Sequence, residues 1–142
     1  MLKHIDALER VQRHFTKRIT VLRNLSYEER LACLDLDTLE CRRLKADLTL
    51  YYKIMHNLTP WSIDRYFNTA VRSRHTRLTN CRSDFYISAP FCRTVAYQND
   101  FFHRCISCWN NLPSTITNAT SLKQFTNALA RTDLTSYLQY RF

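Results

Sequence analysis

The sequence predicts a mainly α-helical fold, with several amphipathic helices and a small β-hairpin that follows a basic loop. Apolar residues recur at spacings of three and four along most of the chain, which is the period of a helix that buries one face. Capping patterns, in which a Ser or Asp is followed three residues later by Glu, precede two of these segments. The length of 142 residues corresponds to about one domain, and eight Phe, eight Tyr and two Trp can anchor a packed core.

Residues 1–60 are predicted to form a helical segment. The first helix runs from about Lys3 to Ile19. Its helical stripe, at spacings of three and four, consists of Ile5, Leu8, Val11, Gln12, Phe15 and Ile19, and its opposite face carries Arg10, Arg13, Lys17 and Arg18. The capping box at Ser26–Glu29 predicts a short second helix. The same pattern at Asp37–Glu40 predicts the start of the longest helix, which ends near His56.

Residues 61–97 are predicted to form a basic loop and then a hairpin. Between residues 65 and 83 there are five arginines and no acidic residue, and apolar periodicity is weak, which indicates an exposed loop. Short strands at Asp84–Ser88 and Arg93–Tyr97, on either side of Pro90, would form the hairpin.

Residues 98–142 are predicted to return to helix and to pack on the same core. One helix runs from Gln98 to Leu112, and Pro113 ends it. Its buried face is expected to consist of Phe102, Cys105, Ile106, Trp109 and Leu112. A capping pattern at Thr120–Gln124 predicts a last amphipathic helix.

Composition narrows the classes of function. The net charge of +9 favours a polyanionic partner such as nucleic acid, although a soluble basic protein without such a partner has the same composition. The chain contains no glycine. Phosphate-cradling loops, nucleophile elbows and dinucleotide turns need glycine where the backbone approaches a ligand, so these sites are excluded in their standard form.

Arginine-rich segments are the best candidates for a binding site, because guanidinium groups can pair bidentately with phosphate. The residues predicted to contact a nucleic-acid backbone are Arg10, Arg13, Lys17 and Arg18 of the first helix and Arg72, Arg74, Arg77 and Arg82 of the basic loop. Such contacts give affinity without sequence specificity. The alternative for both groups is a solvated surface without a ligand.

Cysteine and acidic residues suggest weaker candidates. Cys105 and Cys108 have the spacing of a zinc pair that Cys81 and Cys92 could complete, but their apolar helical context favours core packing. A pair of clustered carboxylates could hold catalytic metal ions, and Asp35, Asp37 and Asp47 come nearest to such a group. Asp37 is predicted to cap a helix instead, so no catalytic and no metal-binding residue is assigned.

Five stretches carry a resemblance to one protein family. They are LERVQRHFTKR at 8–18, LSYEERL at 25–31, LECRRLKADL and YKIMH within 39–56, RT and FFHRCISCWNNLP within 93–113, and ATSLKQF at 119–125. In this order they resemble the region that follows the polymerase core in reverse transcriptases of non-LTR retrotransposons, of the LINE or jockey-like type. The resemblance covers nearly the whole chain. The family commonly has aliphatic residues at the positions of Cys105 and Cys108, which favours their packing in a core.

The resemblance implies the C-terminal, thumb-side part of an RNA-directed DNA polymerase, in which residues 1–60 are thumb-like. No stretch matches the palm Asp-Asp motif or the endonuclease, so the chain is not expected to be an enzyme by itself. It is expected to need no cofactor, since Mg²⁺ would be held in the palm. The implied partners are RNA and DNA as primer–template, together with the remainder of the polymerase.

Two other interpretations of the sequence remain open. One is an inactive relic open reading frame, and the other is a small protein-interaction or structural zinc module. No signal peptide or apolar run of membrane-spanning length is visible, so an intracellular location without a membrane partner is expected.

Overall fold

The structure, a computed structural model, describes residues 2–61, 86–87, 91–98 and 100–138. Within these ranges the chain is mainly α-helical, as predicted, and contains no β-strand. The α-helices are α1 (Leu2–Lys17), α2 (Tyr27–Cys33), α3 (Leu39–Met55), α4 (Val95–Gln98), α5 (Phe101–Asn111), α6 (Ser114–Thr117) and α7 (Leu122–Ala130). Short 3-10 helices occupy Thr20–Leu22 and Thr135–Tyr137. None of the described helices is long and apolar enough to span a lipid bilayer.

The predicted β-hairpin is not seen, and its second strand is wrong. Helix α4 occupies Val95–Gln98, where extended backbone was expected. Thr94 accounts for the difference: its hydroxyl accepts the N–H of Tyr97 at 3.2 Å and its carbonyl accepts the N–H of Gln98 at 3.0 Å. A threonine that satisfies amide groups in this way starts a helix. Of the first strand, only Tyr86 and Ile87 are within the described residues, and neither is in a strand. The basic loop at 65–83 lies outside the described residues.

Side-chain caps decide where several helices begin. The capping box before α2 is confirmed, because Ser26 Oγ accepts the N–H of Glu29 at 3.2 Å and the Glu29 carboxylate accepts the N–H of Ser26 at 2.7 Å. Ser121 caps α7 in the predicted place. At α3 the prediction was one residue early: the helix follows Thr38, whose hydroxyl accepts the N–H three residues later at 3.1 Å.

The chain divides into two compact units, with the boundary inside α3. Unit 1 consists of Met1–Leu44 and Asp133–Phe142, and unit 2 of Lys45–Thr132. Of the residues that the structure describes in unit 1, the buried apolar ones are Leu22, Tyr27, Leu31 and Leu134. The buried polar ones in the same part of the chain are Glu9, Thr16 and Arg30. A small unit with this much buried polar surface depends on hydrogen bonds as well as on apolar packing.

Unit 2 has an aromatic core between α3, α5 and α7. The ring of Trp109 lies 5.4 Å from that of Tyr51 and 6.1 Å from that of Phe125, and Tyr52 stacks on Phe125 at 4.3 Å. The hydroxyl of Tyr51 donates to a backbone carbonyl of α5, and that of Tyr52 donates to the carbonyl of Ala119. Both phenols therefore satisfy their polar ends while the rings are fully buried.

Candidate nucleic-acid interface

Helix α1 buries a polar face and exposes an apolar one. Glu9 and Thr16 are each only 1% exposed. Leu8, Val11 and Phe15, which belong to the apolar stripe of the sequence, are 60%, 68% and 69% exposed. An apolar stripe normally faces the core of a protein. In α1 this stripe faces away from the interior of unit 1.

Hydrogen bonds to the buried polar face hold α1 in this orientation. The carboxylate of Glu9 accepts the hydroxyl of Tyr27 at 2.6 Å and the backbone N–H of Leu39 at 3.0 Å. Burial, and then the hydrogen bond to Glu9, raise the pKa of Tyr27 well above its usual value, so the phenol remains a donor. One carboxylate therefore connects α1 both to the first residue of α2 and to the first residue of α3.

Arg30 extends this polar contact at the other end of α1. Its Nε donates to the hydroxyl of Thr16 at 3.1 Å, and its Nη1 donates to the carbonyl of Leu25. The guanidinium also lies 5.6 Å from the ring centre of Tyr27. This buried cation is therefore stabilised by neutral acceptors and by an aromatic face. It has a structural role and is not presented to a ligand.

A basic cleft of about 340 Å³ lies at the C-terminal end of α1. It is lined by His14, Lys17, Arg18, Thr20 and Arg23. All five residues are exposed, and among these lining residues none is acidic. Three of them, Lys17, Arg18 and Arg23, are basic residues. The cleft can therefore attract and hydrogen-bond an anion with several donors at once.

The turn after α1 assembles the cleft. Helix α1 ends at Lys17, Ile19 adopts an extended conformation, and the chain re-enters a 3-10 helix at Thr20–Leu22. The N–H of Leu22 donates to the carbonyl of Ile19 at 3.0 Å, which closes that turn. Arg23 follows directly and lines the same cleft as Lys17. The cations near the end of α1 also interact favourably with the negative end of the helix dipole, which offsets part of their mutual repulsion.

The four residues predicted on α1 have different surroundings. Lys17 and Arg18 line the cleft. Arg10 instead forms an ion pair with Asp6, one turn earlier, at 2.9 Å. Arg13 is half-buried and lies 5.0 Å from the ring centre of Tyr27, so it packs within unit 1. The cleft thus contains two of the four predicted residues.

Three residues of the cleft, His14, Thr20 and Arg23, were not among the predicted site residues. His14 lies one helical turn before Arg18, so helical spacing alone could have added it. Arg23 could not have been found this way, because its position depends on the 3-10 helix between it and α1. The predicted loop residues Arg72, Arg74, Arg77 and Arg82 lie outside the described residues.

A second surface groove, of about 460 Å³, runs along α7. It is lined by Ser121, Lys123, Gln124, Asn127, Ala128 and Arg131. It has two cations, and two of its polar side chains, Ser121 and Gln124, are already engaged in capping α7. The α7 groove is therefore less suited to an anion than the basic cleft, and it provides a comparison surface of similar size.

Cys105, Cys108 and Asp47 have structural surroundings, and Cys81 lies outside the described residues. Cys105 and Cys108 are buried within α5, and burial, with a smaller effect of Cys105, raises the pKa of Cys108 to about 12. A protonated thiol is a poor metal ligand. Asp47 accepts two hydrogen bonds from Arg104, at 2.7 and 3.2 Å. In the part of the chain that the structure describes, no three His, Cys, Asp or Glu side chains are grouped so that they could hold a metal ion.

The described residues best arranged for a ligand are therefore the five that line the basic cleft. The chain as a whole matches no family model, no curated protein and no solved structure.

Proposed function

We propose that this chain is the C-terminal, thumb-side region of a non-LTR retrotransposon reverse transcriptase, and that it contacts the backbone of the primer–template. The observation that carries the binding role is the basic cleft, in which Lys17, Arg18 and Arg23 are exposed around one cavity. The five motif stretches in the order of the family support the assignment to a reverse transcriptase. In this proposal the chain has no catalytic residue of its own, and Mg²⁺ belongs to the palm.

Phosphate binding follows from the chemistry of the cleft. Lysine offers a point charge and arginine a planar fork of donors, and both pair with phosphate oxygens. The hydroxyl of Thr20 adds a neutral donor at the same cavity. Because such contacts release counterions from the nucleic acid, their number determines how steeply affinity falls with salt. The salt dependence of binding is therefore the property that tests the cleft.

The decisive experiment compares two double variants with the same change in net charge. Lys17→Gln with Arg18→Gln alters the basic cleft, and Lys123→Gln with Arg131→Gln alters the α7 groove. Fluorescence anisotropy measures binding of an RNA–DNA hybrid between 50 and about 300 mM salt, a range in which backbone contacts are strongly screened.

The cleft variant is expected to reduce the slope of log K against log salt by roughly 1.8, since each lost phosphate contact on a duplex contributes about 0.9. The α7 variant is expected to leave the slope nearly unchanged. Equal changes in the two variants would mean that only net charge matters, and would reject the cleft as the contact site.

The basic loop is tested in the same assay. Replacing Arg72, Arg74, Arg77 and Arg82 by Gln is also expected to flatten the salt dependence, because the sequence predicts backbone contacts there. An unchanged slope would reject the loop as a contact while leaving the role of the cleft intact.

The family assignment needs a separate test. Sequencing the transcript upstream of the Met1 codon is expected to find an in-frame palm with its Asp-Asp pair. A stop codon or an unrelated coding sequence at that position would reject the assignment to a polymerase.

A further inference from the structure

We infer that the basic cleft binds single-stranded nucleic acid more tightly than duplex, because an unpaired base stacks on Phe15 beside it. This inference rests on the proposed function of the cleft as a backbone-binding site and specifies its substrate. Phe15 follows the cleft residue His14 and precedes the cleft residue Arg18 by three positions. Its side chain is 69% exposed, so most of the aromatic ring is open to a ligand.

The end of α1 holds Phe15 and the cleft cations on neighbouring positions. Residues three apart on a helix are surface neighbours, and the N–H of Arg18 donates to the carbonyl of Phe15 at 3.0 Å, so the helical spacing persists to this point. Lys17 lies in the last turn of the same helix. The ring of Phe15 and the guanidinium of Arg18 can therefore contact one base and its neighbouring phosphate together.

An exposed ring at a cationic cleft favours single strands over duplexes. The bases of a duplex are stacked on one another and present only their edges, so a ring outside the helix has no base to stack on. In a single strand each base has a free face, and sites that bind single strands combine aromatic platforms with a positively charged groove. Backbone contacts alone would not make this distinction.

The charges around Phe15 identify a nucleic acid, rather than a polypeptide, as the occupant. The apolar stripe continues from Phe15 through Val11 to Leu8, two turns away. A protein partner would bury all three residues, whereas a stacked base needs only the flat ring at the cationic end. Arg18, which is the surface neighbour of Phe15 and lines the basic cleft, suits a phosphate group next to that base.

The test uses the full chain with two probes, a 12-nucleotide single-stranded RNA and an RNA–DNA hybrid of the same length, at one salt concentration. Phe15→Ala is compared with Leu8→Ala, which removes a side chain of similar exposure from the same stripe. Phe15→Ala is expected to weaken single-strand binding by roughly 5- to 150-fold, the range that loss of one base–aromatic stack produces. Hybrid binding and the salt slope are expected to stay close to those of the unaltered chain, because no cation is removed.

Three results would overturn the inference. The first is unchanged single-strand binding in Phe15→Ala, and the second is an equal loss in Leu8→Ala, which would show that the whole stripe is a docking face for another ligand. The third is equal affinity of the unaltered chain for both probes. In all three cases the salt-slope effect of the Lys17 and Arg18 substitutions can persist, so the proposed function would stand. No binding of either probe by the unaltered chain would overturn the proposed function and this inference with it.

Discussion

Among the described residues, two adopt the left-handed conformation that usually selects glycine at the ends of helices. Asn57, after α3, has φ of 54°, and Asp35, after α2, has φ of 51°. In both cases the next residue closes the turn, since Leu58 donates to the carbonyl of Lys53 at 2.7 Å and Leu36 to that of Leu31 at 2.9 Å. A chain without glycine thus uses the short polar side chains that tolerate positive φ best.

Substitution of Asn57 tests this role. Asn57→Gly is expected to keep or raise the free energy of unfolding, by up to about 1 kcal/mol, and Asn57→Ala to lower it by about 1 kcal/mol, because a Cβ is disfavoured at positive φ. Urea denaturation followed by circular dichroism measures both. Asn127, exposed within α7, is the control. At Asn127 the Ala variant should be the more stable one: Ala should raise the free energy of unfolding by about 0.5 kcal/mol and Gly should lower it. The same order at both sites would contradict the role of Asn57.

The buried thiol of Cys108 makes stability depend on alkaline pH. Burial raises its pKa from 9.0 to about 12 in the folded chain. Below pH 9 the thiol is protonated in both the folded and the unfolded state, so its titration does not lower the free energy of unfolding. Between pH 9 and 12 only the unfolded state loses the proton, and the free energy of unfolding should fall by about 1.4 kcal/mol per pH unit. The raised pKa values of Tyr51 and Tyr52, also caused by burial, act in the same direction above about pH 10.

Cysteine variants isolate this contribution. Between pH 9 and 10, Cys108→Ala should unfold with a clearly smaller pH slope than the unaltered chain, at the cost of roughly 1–2 kcal/mol at neutral pH from the lost packing. Cys33 is exposed, so Cys33→Ala should keep the original slope. Urea titrations at a series of pH values measure the slope of the free energy of unfolding against pH in each protein. Identical slopes in all three proteins would contradict the assignment to Cys108.

At the scale of elements, two residues of α5 form hydrogen bonds that stabilise unit 2. Asn110 accepts the N–H of Ile87 at 3.0 Å and donates to its carbonyl at 2.7 Å, so one amide side chain satisfies both backbone groups of that residue. Arg104 is paired with Asp47 of α3. These residues belong to the stretches that carry the family resemblance, and within the described structure their contacts are architectural.

The attachment of α1 through polar residues leads to an unusual expectation for stability. Glu9→Ala should lower the free energy of unfolding by roughly 2–4 kcal/mol, because the Tyr27 hydroxyl and the Leu39 N–H would both lose their buried acceptor. Leu8→Ala should change it by no more than about 0.5 kcal/mol, because Leu8 is 60% exposed. Chemical denaturation of the two variants measures the contrast. A larger loss for Leu8→Ala would mean that the apolar stripe, and not the polar face, is buried.

At the scale of the whole molecule, the aromatic core of unit 2 predicts cooperative unfolding. A test of cooperativity therefore distinguishes a folded protein from an inactive, unstable relic. Trp109 is 1% exposed, whereas Trp61 is 46% exposed. In a Trp61→Phe background, the fluorescence of Trp109 should follow a single sigmoidal transition in urea. Adding Phe125→Ala, next to Trp109, should lower the free energy of unfolding by about 3–5 kcal/mol. A gradual fluorescence change without a transition would favour the relic.

The features that the sequence predicted correctly are those with local causes. The helical class, the capping box at Ser26, the cap at Ser121 and the buried face of α5 around Trp109 depend on residues within one or two turns of each other. The prediction of the hairpin was wrong because a local interaction opposed it. The β-forming residues Thr94, Val95 and Tyr97 were outweighed by one local cap, in which the hydroxyl of Thr94 accepts the N–H of Tyr97.

The sequence by itself determined the helical class, the starts of α2 and α7 and the positive charge of α1, because propensity, capping and net charge are set by neighbouring residues. Only the tertiary structure decided which face of α1 is buried. The hydrogen bonds of Glu9 join residues 18 and 30 positions apart, and no periodicity within α1 encodes them. The tertiary structure also decided that Lys17, Arg18 and Arg23 share one cleft while Arg10 and Arg13 do not, because charges act over distances in space and the turn after α1 sets those distances.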